Sequence, residues 1–165
     1  MTESRTLRCY GYVKGSYARV REILRAHPLE VLQRATTSAA ARAGALVPEL
    51  HVKEAGIEVG VDVRLFVRGI HEDEGIAGLT AVTSLEFEWE ASRTPALFPS
   101  MRLTLSAWPA QGDETKLELV GDYRPPFGVL GETVDAVVGR SVAEPTVHDF
   151  LEDATAQIVC ELATS

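Results

Sequence analysis

The sequence predicts an α+β domain: a strand, two short helices, a meander of five or six antiparallel strands, and a long C-terminal helix covering the apolar face of the sheet. Three observations carry that reading. Ile57–Val67 and the segments after it alternate apolar and polar side chains with period two. The stretch behind the first strand carries apolar residues at spacings of three and four, and the region from about Gly131 to Leu162 does the same over a much longer run.

Thr6–Val13 reads as the first strand, with Leu7, Cys9, Gly11 and Val13 on one face and Arg8, Tyr10 and Tyr12 on the other. Gly15-Ser16 ends it, and Ser16 is placed to cap a helix carrying Tyr17, Val20, Ile23 and Leu24. His27-Pro28 closes that helix, and Pro28 suits the first position of a second one. The second helix is expected to bury Leu29, Leu32, Ala35, Ala39 and Ala40 and to stop at Gly44.

Leu46–Glu54 is a weaker strand, because Pro48 removes a ladder donor and suits an edge. In Ile57–Val67 the apolar phase is Ile57, Val59, Val61, Val63, Leu65 and Val67, so one face is dry and the other wet. A loop over His71–Gly75 leads to a partner strand with Leu79, Ala81, Thr83, Leu85, Phe87 and Trp89 inward and Ser84, Glu86, Glu88 and Glu90 outward. Arg64 facing Glu86 would make the outward charges complementary. After a bend over Ser92–Pro99, Met101, Leu103, Leu105 and Ala107 alternate with Arg102, Thr104, Ser106 and Trp108. Gln111-Gly112-Asp113 then turns the chain into Leu117, Leu119, Gly121 and Tyr123.

The last helical region changes phase. Leu130, Val134, Val137, Val138 and Ser141 share one face, and Val147, Phe150, Leu151, Ala154 and Ile158 another, with Pro145 between them. A bend or two abutting helices is expected at Pro145.

With 165 residues, one domain over 1–165 is expected, large enough to bury about 70% of its extended surface without metal or disulfide staples. A formal charge of -8 with no basic cluster makes nucleic acid and anionic membranes poor partners. No apolar run approaches the ~20 residues of a bilayer span, so no membrane insertion is expected. Two cysteines, Cys9 and Cys160, form no disulfide framework and read as reduced thiols, although sequence leaves a single bridge open; a cytoplasmic protein follows, monomer or homodimer.

The segment from Tyr123 through Arg124-Pro125-Pro126-Phe127-Gly128 to Asp135, with Leu97-Phe98-Pro99 and Arg140–Ala143 before Phe150-Leu151, resembles the START-like, or Bet v 1-like, helix-grip superfamily. It is similar in particular to bacterial members of the polyketide cyclase/dehydrase and lipid-transport-like type. The resemblance covers nearly the whole chain. It implies a curved sheet wrapped around the C-terminal helix, with a ligand cavity between them. That superfamily hosts carriers, receptors, enzymes and interaction modules.

Strand phase places Val61, Val63, Leu65, Leu85, Phe87, Trp89, Met101, Leu103, Leu105, Leu119 and Tyr123 as candidate ligand-lining residues, Trp89 and Met101 toward the open end. Apart from the Tyr123 hydroxyl they carry no acid, base or metal ligand, so they suit a small hydrophobic or aromatic molecule and equally a packed core. Glu144, His148 and Glu152 share a helix face at i, i+4 and i+8, but the apolar phase turns them toward water rather than toward a metal. No phosphate-binding glycine loop, CxxC or HExxH occurs, so no cofactor and no metal is expected. Three functions stand open: binding or carriage of a hydrophobic molecule, an interaction module without ligand, and a cofactor-independent cyclase- or hydratase-like enzyme.

Overall fold

A computed structural model describes residues 5–39, 63–76, 81–91, 101–123 and 140–165. Their elements are β1 (Arg5–Lys14), α1 (Tyr17–Ala26), α2 (28–39), β2 (Val63–Asp73), β3 (Val82–Ala91), β4 (Met101–Pro109), β5 (Glu114–Tyr123) and α3 (Arg140–Thr164). The strands form one curved antiparallel sheet in the order β1-β5-β4-β3-β2. Among the described strands β1 and β2 therefore hold opposite edges, and α1 and α2 belong to the connection between them. α3 lies over β1 and β5, and α1 packs on β3, β4 and β5.

Alternation builds the inner face as the sequence predicts. Leu85, Phe87 and Trp89 of β3, Met101, Leu103, Leu105 and Ala107 of β4, and Leu117 and Leu119 of β5 are all buried. Direct pairing across the ladder, Phe87 with Leu103 and Leu105 with Leu119, keeps these side chains on one side. At the β4–β5 turn Gly112 sits at φ 65°, a left-handed conformation that costs any other residue a Cβ clash.

His27 joins α1 to α2 by taking part in both. Its amide donates to the Ile23 carbonyl at 2.9 Å, and its carbonyl accepts from the Val31 amide at 3.3 Å. Pro28, which has no N–H to satisfy, occupies the first helical position. α3 turns Val147, Phe150, Leu151, Ala154, Ile158 and Leu162 into the same core. Arg19 of α1 donates to the Leu162 carbonyl at 2.6 Å, satisfying one of the orphan acceptors of the last helical turn.

The structure corrects several expectations. β2 runs on to Asp73, so His71, Glu72 and Asp73 are strand rather than loop. A bulge between Val67 and Gly69 inserts Arg68 and moves the inward phase from odd to even positions, to Ile70 and Glu72. Register sets Arg64 against Glu90 instead of Glu86; the outward charges are paired by Arg68 and Arg102, which hydrogen-bond Glu88 at 2.5 and 3.0 Å. Leu29 is exposed and Val31 is buried in its place, because the stripe of α2 is Val31, Leu32, Ala35, Thr36 and Ala39. α3 continues through Pro145 without a break among the described residues; the missing N–H removes one helical hydrogen bond, the one to the Ser141 carbonyl. Ser16 sits at the N-cap of α1, but its carbonyl, not its side chain, receives the Arg19 and Val20 amides.

The expected strand Leu46–Glu54, Ala40, Gly44, residues 57–62 including Val61, Leu79, the bend Ser92–Pro99, the Arg124–Gly128 corner and the Leu130–Val138 stripe lie outside the described residues. So do the side chains of Val63, Tyr123 and Ser141.

Candidate functional site

Seven of the candidate lining residues converge. Leu85, Phe87, Trp89, Met101, Leu103, Leu105 and Leu119 are at most 1% exposed and share one cluster with α2 and α3. At its centre Phe150 of α3 stacks 5.3 Å from Phe87 and 5.1 Å from Trp89, and Phe87 and Trp89 stand 6.0 Å apart. Tilted and edge-on pairs of this kind add about 0.5–1.5 kcal/mol each beyond area burial. The indole Nε1 of Trp89 donates to Thr36 Oγ1 of α2 at 3.1 Å, so the one polar atom of the trio is satisfied. Trp89 and Met101, expected toward an opening, are enclosed.

The accessible apolar surface lies beside them instead. Val67 and Ile70 pair with Phe87 and Leu85 and therefore point to the inner face, yet they are 37% and 38% exposed. Leu65, opposite Trp89, is partly buried against the core. Among the described elements β2 has β3 as its principal neighbour, while the helices cover the middle and far side of the sheet. An apolar ledge thus runs along β2 directly next to the aromatic trio.

At the end of this ledge is a cleft of about 430 Å³ between α1 and the β2–β3 pair, lined by Tyr17, Arg21, Ala81 and the segment Glu72–Gly75. Tyr17, Arg21 and Arg25 recur every four residues on α1; the first two line the cleft and Arg25 reaches Glu72 at its rim. Arg21 donates to both oxygens of Glu72, at 2.9 and 3.2 Å, and Arg25 lies 3.6 Å from the same carboxylate. The hydrogen bonds from Arg21 hold the Glu72 carboxyl below its ordinary pKa, with the charges of both guanidiniums acting the same way and partial desolvation opposing. The Tyr17 hydroxyl meets Thr83 Oγ1 at 2.9 Å. A second, wider groove between α2 and α3, about 790 Å³, is lined mainly by polar side chains, with Arg34 hydrogen-bonded to Gln157 at 3.2 Å.

The remaining candidates stay apart. Glu144, His148 and Glu152 face water, with His148 3.5 Å from Glu152. His71 lies 3.5 Å from Glu86 on the outer face and His27 3.9 Å from Glu30. No group of three or more metal-ligating side chains occurs among the described residues. Cys9 and Cys160 are both free; burial pushes the Cys9 thiol up to about 11, which keeps it protonated and inert.

Sequence reasoning missed the cleft. The four-residue spacing of Tyr17, Arg21 and Arg25 was readable, but Glu72 lies 51 residues from Arg21 and Thr83 lies 66 from Tyr17, and the bulge that turns Glu72 inward leaves no local pattern.

A curved antiparallel sheet with two short helices after its first strand and a long terminal helix on the inner face is the arrangement that the resemblance implied. The chain has the helix-grip fold. No protein-family model matches it, and no curated protein does. Similar solved structures include TTHA0849 from Thermus thermophilus, at 13% identity over 95% of this chain and 99% of that one, with a TM-score of 0.48. The hypothetical protein jhp0584 from Helicobacter pylori is similar at 11% identity over 93% and 87%, TM-score 0.47. Zhui aromatase/cyclase from Streptomyces sp. R1128 is similar at 13% identity over 94% of each chain, TM-score 0.47.

Proposed function

We propose that the protein binds a small apolar or aromatic molecule on the inner face of the sheet, against the edge of β2 and the aromatic trio. The observation that carries this is the ledge. Val67 and Ile70 expose more than a third of their surface on the side of the sheet where their partners Phe87 and Leu85 are fully buried. Covering about 200 Å² of such surface yields about 5 kcal/mol before association costs, enough to hold a ligand the size of two fused rings.

The chemistry of the adjoining cleft favours binding over acid–base catalysis. A general base needs a free lone pair and a pKa near the working pH. Glu72 has both oxygens engaged by Arg21 and a lowered pKa, so it accepts protons poorly.

Native mass spectrometry of protein purified without detergent or organic solvent tests the reading. A discrete mass excess that disappears on denaturation is the expected result. A protein that carries no adduct and takes up no naphthalene in equilibrium dialysis overturns it.

A further inference from the structure

We propose that the cleft between α1 and the β2–β3 pair is a head-group site, taking an uncharged hydrogen-bond acceptor such as a carbonyl oxygen on a molecule whose apolar body lies along Ile70 and Val67. This rests on the binding function proposed above and names the ligand's class.

Two hydroxyl hydrogens meet at the floor of the cleft. Tyr17 and Thr83 each bring one, and their mutual 2.9 Å contact uses only one of the two. Thr83 is fully buried, so its hydrogen has to be spent on Tyr17; the reverse arrangement would strand it in the core. Tyr17 then accepts from Thr83, and its own O–H is left to donate into the cleft that Tyr17 lines.

Two guanidiniums, Arg21 and Arg25, stand against three carboxylates, Glu72, Asp73 and Glu74. Both cations are directed at Glu72, and Asp73 Oδ1 accepts the Gly75 amide at 2.9 Å. The balance among these groups is negative and both guanidiniums are already paired with Glu72, so a carboxylate or phosphate head is disfavoured.

The cleft and the ledge are continuous. Glu72, Ile70 and Val67 follow one another on the inner face of β2, opposite Thr83, Leu85 and Phe87. At about 3.3 Å per residue the ledge extends roughly 15 Å from the cleft. A polar head and an apolar body therefore have adjoining places on one strand.

Equilibrium dialysis with three probes sharing one ring system tests this: naphthalene, 2-acetylnaphthalene and 2-naphthoate. The ketone should bind about three- to tenfold tighter than naphthalene, the worth of one hydrogen bond, and the carboxylate weaker than the ketone. Tyr17→Phe should abolish the ketone's advantage while leaving naphthalene binding intact. The double variant Tyr17→Phe/Thr83→Val, which strands no donor, should do the same, so a folding defect in the single variant does not obscure the answer. If naphthalene binds but the ketone has no advantage, or keeps it in either variant, the head-group site is overturned and the apolar reading stands. If none of the three binds, the binding function itself fails, and the head-group site with it.

Discussion

Replacing Thr36 by valine removes one hydrogen-bond acceptor from the core while nearly preserving shape. Thr36 is 5% exposed and Trp89 is 1% exposed, with the indole donating across 3.1 Å. With its acceptor gone, the indole N–H stays buried and unpaired, which costs about 1–3 kcal/mol. For a chain of this length that is a drop in Tm of roughly 2–10 °C. A double-mutant cycle isolates the interaction. In a Trp89→Phe background there is no N–H to strand, so Thr36→Val should be milder there by about 1 kcal/mol. Urea unfolding followed by far-UV circular dichroism measures all four species without relying on the tryptophan that is removed. Additivity of the two changes to within about 0.3 kcal/mol would refute the claim that α2 is pinned to the aromatic trio through this bond.

Glu72 has a folded pKa below its unfolded one, so its contribution is present above the ordinary carboxylate range and is lost as pH falls through the folded value. The stability difference between wild type and Glu72→Gln, followed by urea unfolding from neutral to acid pH, should shrink on acidification; a difference that does not change with pH would contradict the ion-pair geometry. Gly112→Ala has open space for its Cβ, so the whole cost is the φ of 65°, about 1–2 kcal/mol in a urea titration, and a neutral variant would show that the turn relaxes freely. A thiol reagent at pH 8 should label Cys160, which is exposed, and spare Cys9 until the protein unfolds; equal rates would mean that β1 opens readily.

Much of the fold was legible because period-two alternation is a local property. Leu85-Glu86-Phe87-Glu88-Trp89 and Met101–Ala107 declare their buried face without reference to any partner, and both are buried as read. The β4–β5 hairpin with its turn at Gly112 and the apolar face of α3 from Val147 to Ile158 follow from equally local patterns, whereas the pairing of β1 with β5 joins residues a hundred positions apart and had no such signal. What failed depended on distant chain. Whether Val67 ends a strand or precedes a bulge is decided by β3, and the bulge turned Glu72 inward against α1. Leu29 and Val31 are two residues apart on one helix, and which is buried depends on how α2 is rotated against the sheet, a rotation set by contacts such as Thr36 with Trp89. The eight lining candidates with described side chains lie on the face where their phase put them, seven buried and Leu65 partly so, but phase does not distinguish a wall of a cavity from the interior of a core. The exposed ledge was invisible for that reason: Val67 and Ile70 are ordinary strand residues whose accessibility comes from the absence of a described helix over β2.

The most direct measurement is solution NMR of the methyl-labelled protein with naphthalene bound. Intermolecular NOEs from the ring protons to the methyl groups of Val67 and Ile70 are predicted, with Leu85 the nearest core methyls. NOEs confined to side chains on the outer face of the sheet, or none to β2 at a concentration where dialysis shows binding, would contradict a ligand site on the inner edge.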